Sequence, residues 1–224
     1  MATNFDQQLE TPPVPDLPNP QDRYERLTVA QTNERIRTFF LRVRNAFQAL
    51  LGPRGGKYIN SPYGSFQDTT DQTATANTAT VMTFNTTDLS NGISVVTSGG
   101  KASRLTVTQA GIYNLQFSAQ FDNTDSQEHD VSIWLRQDSS GAGVDVAGTN
   151  GIVGIPSSHG GVSGHIIAGW NYLVSLNAND FVEIWWSTPN TAVTMQAYAA
   201  GTSPTRPTTA SVIATMTYVS NLSA

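Results

Sequence analysis

From Gly111 to Phe121 apolar and polar side chains alternate strictly. Tyr113, Leu115, Phe117, Ala119 and Phe121 fall on one side, and Asn114, Gln116, Ser118 and Gln120 on the other. A two-residue period predicts a strand with one face buried and one wet. Similar signals, separated by turn residues, predict strands near 63–70, 79–84, 93–97, 103–108, 130–137, 144–147, 165–176, 181–187 and 210–219. Short strands at such intervals read as a sandwich or barrel. Phe181–Trp186 and Val212–Val219 are apolar on both faces. One face of each fills the core, and the other needs cover that a sister subunit would supply most simply.

The period changes upstream of Asn60. Ile36, Phe39, Phe40, Val43, Ala46, Phe47, Leu50 and Leu51 recur at three- and four-residue spacing, which predicts one amphipathic helix over 29–51. Thr28 and Gln31 resemble a capping box, and Gly52-Pro53 is a stop. Read as heptads, Ile36, Val43 and Leu50 take one core position, Phe39 and Ala46 the other. Some two and a half heptads are too few for a free-standing coiled coil. The helix can dock on its own head, form a short stalk between subunits, or peg into an assembly. Before it, Pro12, Pro13, Pro15, Pro18 and Pro20 favour an extended backbone. That segment is either a loose tail or an arm laid along a partner, with Phe5, Leu9, Val14 and Leu17 as apolar pegs; the arm is the preferred reading. The expected organisation is an arm over 1–28, helix and Gly/Pro hinge over 29–57, and a β head over 58–224.

Charge divides at the same place. Of twelve Lys and Arg, eight lie between Arg23 and Lys57, where they exceed the acids by six; beyond Asn60 four bases face eleven acids, a net −7. The basic stripe is short and interleaved with apolar residues, so an acidic protein partner or solvent is favoured over nucleic acid. Charged residues are only 13% of the chain, which leaves an uncharged polar surface of Thr, Ser, Asn and Gln. There is no cysteine, so disulfides and thiolate metal sites are excluded. No secretory signal and no membrane span is legible, and a soluble protein made in a cytoplasm is expected.

The order of these signals resembles the ten-strand jelly roll of the tumour-necrosis-factor and complement globular-head superfamily. Three stretches carry the likeness. Gly111-Ile112-Tyr113…Phe117 is similar to the family's G-x-Y-x-F strand, and Ile133-Trp134-Leu135-Arg136-Gln137 to its central strand. Trp170–Ile184 resembles its L-x-L-x-x-G-D-x-V hairpin, with Asn179 where the family has glycine. The likeness covers about 160 residues and implies an all-β, ten-strand jelly-roll sandwich that trimerises, with Tyr113, Trp134, Trp185, Trp186 and Tyr218 at the trimer interface. The Thr, Asn and Gln bias and the V-x-I-W-L-R phrase further resemble virion proteins of tailed bacteriophages. That resemblance implies a trimeric capsid decoration protein, made in the host bacterial cytoplasm and located on the virion. It would grip a major capsid or other virion protein through Phe5, Leu9, Val14, Leu17, Arg35, Ile36, Phe39, Phe40, Val43, Phe47 and Leu50. The alternative is a head or tail fibre recognising a host surface glycan, with Trp170, Tyr172 and Tyr198 as contacts.

Catalytic patterns are missing from the sequence. Ser157-Ser158-His159 and Ser163-Gly164-His165 form no nucleophile elbow, and Gly99-Gly100-Lys101-Ala102-Ser103 is no phosphate loop. Asp122, Asp125, Glu128 and Asp130 offer oxygens to a hard cation, but without the tight-turn glycine a solvated turn is the stronger reading. No cofactor is expected. The stretch 141–164, with eight glycines in 24 residues, reads as a receptor-contacting tip or a loop packed at a subunit boundary.

Overall fold

The computed structural model describes residues 14–17, 19, 23, 25–51, 61–138, 141 and 143–222. Phe5, Leu9, the Gly/Pro hinge and the side chain of Leu50 lie outside them. The chain divides into two units, Met1–Asn60 and Ser61–Ala224.

In the first unit α1 (Arg26–Leu51) is the one described helix. It starts three residues before the expected position, with the Val29 amide donating to the Glu25 carbonyl at 3.1 Å. Thr28 therefore sits inside the first turns, and its carbonyl accepts the Thr32 hydroxyl at 2.9 Å. The expected cap gives way because Arg26 and Leu27 propagate a helix readily. The apolar stripe forms but is poorly covered: Ile36, Phe39 and Val43 are half-buried, whereas Phe40 and Phe47 stay exposed.

The second unit is an all-β sandwich of antiparallel sheets. Its strands are β1 (Tyr63–Asp68), β2 (Gln72–Thr73), β3 (Thr80–Val81), β4 (Thr86–Asn91), β5 (Ile93–Ser98), β6 (Lys101–Val107), β7 (Gly111–Asn123) and β8 (His129–Asp138). There follow β9 (Val144–Asp145), β10 (Gly151–Ile155), β11 (Gly164–Leu176), β12 (Phe181–Ser187), β13 (Val193–Met195), β14 (Gly201–Thr202), β15 (Thr205–Arg206) and β16 (Val212–Ser220). In the first sheet β11 covers one whole edge of β7, while β16 and β13 share its other edge. The order continues from β16 to β1 and β4, and from β13 to β2. The second sheet runs β10–β8–β12–β6–β5, with β9 on β8 and β3 on β12; β14 and β15 form a separate ribbon.

The core lies between the two main sheets. Leu115, Phe117 and Phe121 of β7 with Ala214 and Met216 of β16 meet Ile133 and Leu135 of β8 and Ile184 and Trp186 of β12. Parity along β7 follows the expected alternation from Gly111 to Phe121; beyond it Asp122 and Asn123 are both buried. The turn from β11 to β12 is built as its sequence suggests: Asn179 takes φ 71°, and the Asp180 carboxylate accepts the Asn177 amide at 2.8 Å. Close backbone packing fixes Gly164, where a Cβ would stand 1.9 Å from the Pro156 carbonyl oxygen.

Candidate functional site

The two outer faces of the sandwich differ in chemistry. Register settles which residues point outward on the first sheet, because Trp170 and Ala214 both pair with Phe117, which faces the core. Their neighbours Ile167 and Leu173 on β11 and Ile213 and Val219 on β16 therefore point away from it, at 66%, 68%, 41% and 54% exposed. No charged residue occurs in 112–120, 167–175 or 213–219, the middle of this face. At its centre the side-chain oxygen of Asn114 is buried without a hydrogen-bond partner among the described residues, an arrangement that costs free energy.

The second sheet's outer face is charged and aromatic. Glu183, outward on β12 but almost fully buried, accepts from Ser103 Oγ at 3.0 Å and Arg104 Nε at 3.2 Å through one oxygen. Its other oxygen accepts Trp185 Nε1 at 2.9 Å. Arg104 also donates to the Gly141 carbonyl, and its guanidinium lies 3.9 Å from the Phe181 ring centre. Arg136 sits 4.0 Å over the Trp185 ring and donates through Nε to Asp145 at 2.8 Å, while Trp134 Nε1 donates to the same oxygen at 2.9 Å. Those two bonds, that from Arg136 the stronger, hold the Asp145 carboxyl below the usual carboxylate range.

Several expected interface residues are thus placed elsewhere. Tyr113 and Trp186 are entirely buried in the chain's own core, so they face no neighbour. Trp186 packs edge-on against Phe121 at 5.5 Å, and Tyr113 against Tyr218 at 5.6 Å. Trp134 and Trp185 are half-buried, and the second face of β12 is covered from within, by guanidinium groups over its rings. The second face of β16 does remain open. The outward aliphatics Ile167 and Leu173 were not singled out from the sequence; they lie on the face opposite Trp170, and only the pairing of Trp170 with Phe117 shows that face to be the outer one.

Two of the three expected receptor contacts turn inward. Trp170 packs on Phe117 at 5.6 Å, and the Tyr172 hydroxyl donates to the Thr149 carbonyl at 2.7 Å. Tyr198 stays partly exposed, its hydroxyl 3.2 Å from His165 Nδ1. Burial, and then the charges of Asp122 and Asp71, raise its pKa.

The oxygens expected around a cation are dispersed. Asp122, buried, lies 3.0 Å from His165 Nδ1. Asp125 lies 2.7 Å from His129 Nε2 and accepts Asn190 Nδ2 at 2.8 Å. The bond to His129 holds the Asp125 carboxyl low. Asp130 is outward on β8, and Glu128 sits beside Gly154. Among the described residues no three His, Cys, Asp or Glu side chains group as metal ligands would.

No family model matches this chain, and no curated protein matches its sequence.

One titration follows from the core. Tyr113 is pushed up to about 12 by burial, with the neighbouring Tyr218 adding to the shift, while its hydroxyl donates to the Gln109 carbonyl at 2.6 Å. A raised folded pKa favours the folded state while the phenol is protonated. Its contribution is complete below about pH 10, the unfolded value, and falls away as pH rises through about 12. Denaturant midpoints measured across that alkaline window should decline, and Tyr113→Phe should flatten the decline.

Proposed function

We propose that the chain is a structural virion protein of a bacteriophage, a trimeric capsid decoration protein. Its β head is read as the ten-strand jelly roll of the tumour-necrosis-factor and complement-head type. The order β4–β1–β16–β7–β11 against β5–β6–β12–β8–β10 supports that reading, since these ten strands interleave between two sheets as such a roll requires. The observation that carries the proposal is the uncharged outer face with Ile167, Leu173, Ile213 and Val219 exposed. Three copies gathered about an axis would bury these side chains and leave the charged sheet outward. At about 25 cal/mol per Å2 of apolar area, such burial outweighs association costs only if the contact is large and well packed.

The amino-terminal unit supplies the grip. Arg35 donates to the Asp16 carbonyl and lies 3.9 Å from its carboxylate, which lays residues 14–17 along α1. Val14, Leu17, Phe40 and Phe47 stay exposed there, and ordering them against a shell protein adds stability by linkage. A protein of this kind needs no catalytic constellation.

Two measurements test the proposal. Sedimentation of the full chain at micromolar concentration should give a trimer. Particles carrying the protein should resist heating that ruptures particles lacking it. A monomer in the first, or equal rupture in the second, removes the assembly or the decoration role respectively.

A further inference from the structure

A hollow of about 330 Å3 opens on the charged sheet beside β12, lined among others by Val81, Lys101, Arg104, Arg136, Glu183 and Trp185. It forms because β6 pairs with β12 only at Phe181 and Val182, whereas β3 pairs at Trp185 and Trp186, leaving Glu183 between them. Chain segments far apart in sequence are thereby brought to one floor.

We infer that this hollow binds an acidic sugar, a carboxylate-bearing residue of a polysaccharide. The head carries only four Lys or Arg against eleven acids, yet three of the four line this one depression. Two are fixed in place: Arg104 between Glu183 and Phe181, and Arg136 between Asp145 and Trp185. Each guanidinium has five N–H donors. The bonds to Glu183, Gly141 and Asp145 occupy only some of them. Lys101, exposed at the rim, has no acidic partner among the described residues. Glu183 already accepts from Ser103, Arg104 and Trp185, so its charge is met from within and does not repel an incoming anion strongly.

The remaining wall fits a sugar better than an acidic peptide. Val81 and the Trp185 indole, one ring face of which lies under Arg136, supply an apolar side, and Ser98 supplies a hydroxyl. A peptide would seek a free strand edge or pockets for alternate side chains. The size suits one or two pyranose rings, at the small end of ligand sites. Preformed donors in a rigid frame lose little entropy on binding. The site lies on the face opposite the uncharged one, so it does not depend on the assembly reading.

The probe is trigalacturonic acid titrated into the full chain, with maltotriose as its neutral counterpart and a glutamate hexapeptide as competitor. Tryptophan fluorescence should report saturable binding of the uronate with a Kd on the order of 1 mM, and none of maltotriose. Lys101→Glu should weaken binding at least about tenfold, while Arg206→Glu, the same charge change elsewhere on the head, should leave it intact. Equal binding of maltotriose, equal loss in both variants, no uronate binding, or displacement by the hexapeptide at matching concentration would each overturn the assignment. Sedimentation of Lys101→Glu should be unaltered, so failure here and failure of the assembly reading are read separately.

Discussion

Trp186→Ala should unfold the head at markedly lower temperature without first altering its association. The indole is fully buried, packs edge-on against Phe121 at 5.5 Å, and belongs to the cluster shared by both sheets. Truncating an aromatic side chain in such a place costs about 3–5 kcal/mol, from lost transfer energy and the cavity left behind. For a domain of this size that is roughly a 10 °C fall in Tm. Trp186→Phe separates packing from polarity. Trp186 Nε1 is buried without a hydrogen-bond partner among the described residues, so removing it relieves a desolvation penalty and offsets part of the lost volume. Phenylalanine should therefore cost far less than alanine. An interface role for Trp186 predicts the reverse sequence, dissociation of intact subunits before any loss of fold, and calorimetry beside sedimentation distinguishes the two.

The two tryptophans at 185 and 186 show where sequence reading stops. Their opposite parity is plain, but both faces of β12 look apolar, and nothing local says which is inner. Register decides it: Trp186 pairs with Ile133 and faces the core, whereas Trp185 pairs with Trp134 and faces out. The cover over the outer ring comes from Arg136, some fifty residues away in sequence, and the neighbouring Glu183 is held by Arg104, separated from it by 79 positions. No spacing rule finds such pairs. By contrast β7 was legible because its alternation is local, and the β11–β12 turn because Asn179 and Asp180 have turn chemistry of their own.

Missed strands have physical explanations too. Thr86-Thr87-Asp88-Leu89-Ser90-Asn91 has turn-like composition and is nearly all exposed, yet it pairs along β1 from Tyr63 to Gln67 with one irregularity. Backbone bonds hold it, and these leave no side-chain pattern. Gly151–Ile155 looked like part of a glycine-rich loop. Its first glycine is there because a Cβ would stand 2.7 Å from the Trp170 ring, a tertiary demand invisible locally. The expected interface aromatics failed for a related reason: size and hydrophobicity identify what must be buried, not whether the chain itself buries it.

Leu173→Glu combined with Ile213→Glu should convert the proposed trimer into a folded monomer. Leu173 pairs with Asn114 and Ile213 with Ser118 across the two edges of β7, so the two carboxylates would stand on either side of the face's centre. In the isolated chain both positions meet water, and the substitutions should leave the circular dichroism and the monomer's unfolding midpoint little changed. In a subunit contact each carboxylate must be desolvated without a cation in reach, at an effective penalty of several kcal/mol per ion. Three copies of the pair multiply that penalty, which exceeds what a contact of ordinary affinity can absorb. Val96→Glu, outside this uncharged stretch on β5 of the other sheet and likewise exposed, adds one carboxylate of the same kind and should leave the sedimentation coefficient alone. Asn114 gives the complementary reading. Asn114→Ala removes a buried oxygen that has no partner among the described residues, so a protein that stays monomeric should lose no stability by it, but if a neighbouring copy supplies the missing donor, that single truncation should weaken association while sparing the fold.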